Sequence, residues 1–342
     1  MKIVNITTEV KSIELKTPFK TALRETSHVE FVRVEVECEG GLVGIGEASA
    51  TKVITGEDIY IILTSIASVE ELFFGLTCKE ALEVLHVKCA IGSSAKAALD
   101  IAFTHLLAQE AKKPLYEYFG ATDLSPLKSD ITISLNEEDV MLQDAKKAFG
   151  NGMEILKVKV GSDVLHAVSI VRKISNELPL CDILVDANQA WNFESTTLFI
   201  KNMLVSSIKL IEQPVPASDL ESLQRITELS HIPILADEAV FTLEDAQKVI
   251  KEKCADMINI KFMKCGGVSK AIEILEFARS SGFKCMLGSM LEGSYSINMA
   301  LHLAFAYRDV IEYIDLDSPL LYKEPSQDLD FIFSGCEITI RT

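Results

Sequence analysis

The chain has 342 residues, 48% of them hydrophobic, enough for one large domain with a small companion and a substantial core. Fifty acidic residues against 33 basic ones give a formal charge of −17, a field that repels phosphate backbones and anionic lipid, so nucleic acid and membrane surfaces are excluded as partners. The eight cysteines form no C-x-x-C pair and several sit in apolar runs such as "FKCML", which reads as reduced thiols in a cytoplasmic protein.

In chain order, "MKIVNITTEV" lacks a sustained apolar stretch and predicts no signal peptide. The runs "KIVNITTEVKSIEL", "VEFVRVEVECEG" and "GLVGIGEAS" alternate with period two and predict a small antiparallel sheet. From about residue 56 to 119 the period becomes helical, as in "SAKAALDIAFTHLLAQEAKK". The apolar stretch "DIYIILTSIASVEELFFGL" is interrupted by Glu70 and Glu71, which argues against a membrane span. Eight short apolar runs follow: "DITISL", "EILKVKV", "DILVDAN", "IKLIEQP", "IPILADE", "DMINIKF", "FKCMLGS" and "IEYIDLD", separated by amphipathic helical stretches. That alternation predicts an α/β fold, a (β/α)8 TIM-type barrel with an α+β N-terminal capping domain. The tail "FIFSGCEITI" reads as one more strand returning to the N-terminal sheet, giving a capping domain at 1–122, a barrel at 123–320 and a C-terminal segment at 321–342.

The polar residues of the barrel runs collect at their C-terminal ends, which in this fold converge on the rim that holds active sites. A single carboxylate there is as well explained by capping the next helix, and a single lysine by reaching for solvent. Seven of eight runs ending this way argue for a site. Asp186, Glu212 and Asp237 end three successive runs, and three crowded carboxylates raise one another's pKa unless a cation joins them. Ligation by oxygen alone favours Mg²⁺, or Mn²⁺, over zinc. Lys157 and Lys159 share one face of "EILKVKV" on one side of this trio in strand order; Lys261 lies on the other. Bringing a lysine from about 10.4 into the range of a general base takes ~2–3 pH units, which a neighbouring ammonium and a metal would supply, so Lys157 is expected to tune Lys159. Two lysines flanking a metal suit removal of a proton beside a carboxylate and its return to the opposite face.

"KVKVG", "DANQAW", "IEQP", "ADE" and "NIKFMKCGG" together resemble the enolase superfamily, muconate-lactonizing subgroup, and within it the dipeptide epimerases of the L-Ala-D/L-Glu type. Members of that superfamily use a lysine or histidine base with magnesium. The resemblance implies Asp186, Glu212 and Asp237 as metal ligands, Lys159 and Lys261 as the two bases, and no base role for Lys264. It implies that Asp315 and Asp317 hold a dipeptide's α-ammonium, that Arg24 in "TPFKTALRETSH" meets the glutamate side chain, and that Lys157, Thr132, Ser289 and Leu291 also contact substrate. The implied reaction is epimerisation at the C-terminal residue of a small dipeptide from peptidoglycan peptides, by a homo-oligomer. Other hydrophobic or cationic dipeptides, N-succinylamino acid racemisation and a non-catalytic barrel that binds metal and peptide are the alternatives. The closely spaced glycines of "GLVGIGEAS" read as a tight sheet turn rather than a dinucleotide site.

Overall fold

The structure is a computed structural model that describes residues 1–203 and 207–341. Three long antiparallel strands open the chain: β1 (Ile3–Lys20), β2 (Glu25–Cys38) and β3 (Val43–Ser49), in that order in the sheet. Of the glycines in "GLVGIG", Gly41 belongs to the turn, whereas Gly44 and Gly46 lie inside β3 and serve close approach. A Cβ on Gly44 would sit 2.2 Å from the Ala102 carbonyl oxygen and one on Gly46 1.9 Å from that of Ala98, so the helix Ser93–Glu110 packs directly on the strand backbone. The turn itself falls at Gly40 and Gly41, both with positive φ.

Each of the eight predicted runs forms a parallel strand. They are β5 (Ile131–Ile133), β6 (Ile155–Lys159), β7 (Asp182–Asp186), β8 (Ile208–Glu212), β9 (Ile234–Ala236), β10 (Met257–Ile260), β11 (Lys284–Gly288) and β12 (Ile311–Asp315), and they neighbour one another in sequence order. The ring closes where Asp130 N and Ser129 Oγ donate to the Ile314 carbonyl at the start of β5. Helices between the strands bury one face; Val164–Glu177 turns Ala167, Val171 and Ile174 inward and is capped by Asp163, whose side chain accepts from Leu165 N and His166 N. Leu184, Leu210, Leu235, Met257 and Met286, one from each of five strands, form an apolar floor inside the barrel.

The C-terminal tail differs from expectation. It forms a hairpin, β13 (Phe331–Ser334) and β14 (Glu337–Ile340), turning at Gly335, and β14 pairs with β4 (Leu127–Lys128), not with the N-terminal sheet. The segment before the hairpin does touch that sheet: Leu15 bridges Tyr322, and Lys323 N donates to the Glu14 carbonyl at 2.8 Å. Among the described residues no helix is long and apolar enough to cross a membrane.

Candidate active site

Side-chain alternation in β6 points Leu156 and Val158 one way and Lys157 and Lys159 the other, into the barrel. Strand register places Lys159, Asp186 and Glu212 side by side across β6, β7 and β8. Asp237, Lys261 and Ser289 each follow the last residue of their strand, Asp315 ends β12, and Thr132 lies in β5. A cavity of about 570 Å³, counted to its open mouth, brings together Thr132, Lys159, Asp237, Lys261, Ser289, Asp315 and Asp317 from the barrel with Leu291 and Arg24. Lys157, Asp186 and Glu212 lie beneath it, fully buried. β6 and β10 are separated by three strands on either side of the ring, so Lys159 and Lys261 enter the cavity from opposite walls.

Two like charges on one strand are tolerated because each ammonium meets carboxylates from other strands. Lys157 Nζ lies 2.5 Å from Asp315 Oδ2, 2.7 Å from Glu212 Oε2 and 3.5 Å from Asp186 Oδ2. Lys159 donates to Asp186, Lys261 to Asp237 at 2.8 Å, and Lys264 to the other Asp237 oxygen at 2.6 Å. Burial works against the charge of Lys157, but Asp315, Glu212 and Asp186 outweigh it and hold the ammonium well above the ordinary lysine range. Lys261 is raised in the same way, burial being overcome by Asp237. The expectation that Lys157 acts on Lys159 by simple like-charge repulsion therefore misses the acids that share Lys157. Burial lowers Lys264 despite Asp237.

The acids divide by their partners. Burial opposes the charge on Asp186 and Asp237, yet Lys159 and Lys261 respectively lead the cations that hold both below the usual carboxylate range. Glu212 is pushed up to about 7 by burial and Asp186, and Glu238 to about 8 by burial and Asp237. Seven carboxyl groups (Asp130, Asp186, Glu212, Asp237, Glu238, Asp315, Asp317) thus surround four lysines, an excess of acid in a dry site. Among the described residues, Glu238 Oε2, Asn188 Oδ1 and Asn259 Oδ1 are buried without a hydrogen-bond partner, and Glu212 Oε2 has no hydrogen bond besides its 2.7 Å ion pair with Lys157. Orphaned oxygens with surplus negative charge and no histidine or cysteine among them fit a hard divalent cation. Among the described residues, the carboxylates with oxygens all within 4.8 Å of one another are a different trio, Asp130, Asp315 and Asp317. The oxygens of Asp186, Glu212 and Asp237 are instead each drawn to a lysine.

Arg24 lies in the β1–β2 loop, which is folded by Thr21 Oγ1 accepting from Leu23 N and Arg24 N. Its guanidinium makes no ion pair among the described residues, and burial lowers its pKa. Ser289 donates N–H and O–H to the Asp315 carbonyl and Thr132 N donates to Asp317 Oδ2 at 2.7 Å, so both order the acidic pair. Leu291 packs with Leu15, Val29, Phe31 and Tyr322 under the cap. Trp191 packs on Phe199 and donates to the Gly161 carbonyl instead of lining the cavity.

Sequence reasoning missed several supports. Gln213, left-handed at φ 34, accepts from Asp237 N and Ala239 N, and Asn259 donates to Glu212 at 2.8 Å. Their position just after β8 and within β10 was the available signal. Asp130 and the cap residues Phe19, Val53 and Ile54 carried none.

Fold and rim together define a (β/α)8 barrel under an α+β cap, with opposed lysines over buried acids. The chain matches the mandelate racemase/muconate lactonizing enzyme N-terminal domain over residues 3–120 and the enolase C-terminal domain-like family over 140–339, and it belongs to this branch of the enolase superfamily. It is 83% identical to the L-amino acid-D/L-Glu epimerase of Sulfurimonas denitrificans over 338 residues, 99% of each chain. The substrate-liganded L-Ala-D/L-Glu epimerase of Bacillus subtilis superposes with a TM-score of 0.95 at 35% identity, covering 99% of this chain and 96% of that one. The Enterococcus faecalis dipeptide epimerase complexed with Mg and L-Leu-L-Tyr gives 0.93 at 33%, covering 99% and 97%.

Proposed function

We propose that this chain is an isomerase, a Mg²⁺-dependent epimerase that inverts the α-carbon of the C-terminal residue of a dipeptide. The observation that carries the reading is the entry of Lys159 and Lys261 from opposite walls of one cavity above buried acids. Asp186, Glu212 and Asp237 would hold the cation, which supplies a counter-charge for negative charge gathering on the substrate's carboxylate. Those oxygens cannot serve lysine and cation equally, so Lys159 and Lys261 exchange carboxylate partners for substrate in the working site. One lysine, neutral, takes the α-proton from one face; the other, as ammonium, returns a proton to the opposite face, and the pair ends with its protonation states exchanged. Lys157 stays charged and stabilises the enolate-like carboxylate.

Specificity follows from the remaining charges. Asp315 and Asp317 line the cavity and take the α-ammonium, which disfavours N-acylated substrates that bring no positive charge there. Arg24, half-buried and without an ion pair among the described residues, takes the side-chain carboxylate of glutamate. The substrate class is therefore L-amino acyl-glutamate, with L-Ala-L-Glu and L-Ala-D-Glu as its central members, and Ser289, Thr132 and Leu291 shaping the walls. We further place the enzyme in the cytoplasm, acting on peptides released from peptidoglycan, a setting that suits eight free cysteines. We assign it a homo-oligomer and divide the chain at 1–122, 123–320 and 321–342.

Incubation of L-Ala-L-Glu with the enzyme and Mg²⁺ in D₂O tests this. Deuterium should enter the glutamate α-position as L-Ala-D-Glu appears. No exchange across a library of dipeptides would sink the reading.

A further inference from the structure

Asp130 closes the barrel through its backbone but has no evident task for its side chain. It is 2% exposed, it does not line the cavity, and among the described residues neither carboxyl oxygen has a hydrogen-bond partner. One of its oxygens nevertheless lies within 4.8 Å of an oxygen of Asp315 and an oxygen of Asp317. The charged and titratable groups acting on it are these two aspartates, Lys157 and Glu212. Lys157 is committed to Asp315, Glu212 and Asp186, and the Thr132 N–H to Asp317.

An ionised Asp130 would be a buried charge without a donor, beside two further carboxylates, an arrangement that costs several kcal/mol. A neutral one carries an O–H that needs an acceptor, and the flanking oxygens of Asp315 and Asp317 are acceptors. Burial first and Asp315 second push its carboxyl well above the ordinary range, in keeping with the neutral form.

Resting on the proposed dipeptide substrate, we propose that Asp130 is the positioning residue of the ammonium pocket: from beneath the cavity its carboxyl O–H donates to the Asp315–Asp317 pair and turns the pair's other oxygens toward the substrate's α-ammonium. Asp130 does not touch substrate. It sets which oxygens Asp315 and Asp317 present, and so the preference for a free amino terminus over an acylated one.

The test compares Asp130→Ala and Asp130→Asn with the unaltered enzyme in Mg²⁺. Calorimetry reads the affinity for L-Ala-L-Glu and for N-acetyl-L-Ala-L-Glu, which lacks the ammonium, and turnover of L-Ala-L-Glu separates kcat from KM. Asp130→Ala should weaken L-Ala-L-Glu about 10-fold or more in Kd and KM, one charge-assisted hydrogen bond's worth, with kcat and the N-acetyl affinity within about 3-fold. Asp130→Asn, whose amide is also a neutral donor, should restore most of the loss. Should Asp130→Ala fail to fold, Asp130→Ser takes its place, and Asn against Ser decides. Equal weakening of both ligands, no weakening of either, or Asn as poor as Ala overturns the proposal. So does a drop in Mg²⁺ bound per chain, which would make the acidic trio a cation site. An unaltered enzyme that binds L-Ala-L-Glu without turning it over defeats the proposed function alone, since the affinities still decide the role of Asp130.

Discussion

The barrel rim and the capping loop meet at one cavity but are built on opposite terms. At the rim every lysine is buried and tied to acids from adjacent or next-nearest strands, and the acids in turn are fixed by Gln213, Asn259, Thr132 and Ser289. In the loop, Leu23 is exposed, Arg24 is half-buried, and the turn is held by two bonds to Thr21 Oγ1. A network in which each charge depends on several others cannot lose one member without disturbing the rest. A loop with an unshared guanidinium can change its residue and leave the network intact. On the proposed reading, chemistry and the ammonium pocket are lodged in the rigid part and the choice of side chain in the adaptable part.

Breaking the rim should have the largest effect. Asp237→Asn removes the charge that Lys261 and Lys264 share, and should lower turnover about 10³-fold together with Mg²⁺ affinity, read by steady-state kinetics and calorimetry. Undiminished Mg²⁺ binding would move the cation elsewhere. Breaking the cap should be selective: Arg24→Ala should cost about 10- to 100-fold in kcat/KM for L-Ala-L-Glu and little for L-Ala-L-Leu. Equal losses would make the arginine a bystander.

Smaller effects sharpen the contrast. A Cβ on Gly288 would lie 2.7 Å from Asn259 Oδ1 and 3.0 Å from Lys261 Cε, so Gly288→Ala should lower kcat about 10-fold by displacing the lysine, with a stability loss of about 1–2 kcal/mol. A kcat near that of the unaltered enzyme would mean that the wall yields freely. At the junction of the two regions, Glu292 is buried and accepts from Met290 N and Ser296 Oγ. Burial raises its carboxyl from 4.5 to about 7. Between those values the folded chain keeps a proton that the unfolded chain gives up, so this group withdraws stability as pH rises from about 4.5 to about 7 and restores none above. Glu292→Gln should therefore leave stability unchanged near pH 4 and add about 3 kcal/mol at pH 8, measured by denaturant unfolding. A gain that does not depend on pH would refute the assignment.

Much of the barrel was legible because each strand is a short apolar run whose polar residue falls at the C-terminal end, a signal local to about six residues. The hairpin at the end of the chain was not: "FIFSGCEITI" reads as strand either way, and nothing local says that β14 finds β4 across the molecule. The lysine pair shows the same limit. Alternation placed Lys157 and Lys159 on one face, but that Lys157 is shared among Asp186, Glu212 and Asp315 depends on closure of the ring, which leaves only β5 between β6 and β12. Asp130, in "SDITISL", looks like an ordinary residue before a strand until barrel closure sets it beneath Asp315.

The account turns on opposed proton donors at one carbon, and Lys159→Ala and Lys261→Ala test that most directly. Each variant should lose epimerisation while still exchanging the α-hydrogen of one epimer in D₂O, Lys159→Ala with one of L-Ala-L-Glu and L-Ala-D-Glu and Lys261→Ala with the other, followed by proton NMR. If both variants exchange the same epimer, or either still interconverts the two, the lysines do not act on opposite faces and the account is wrong.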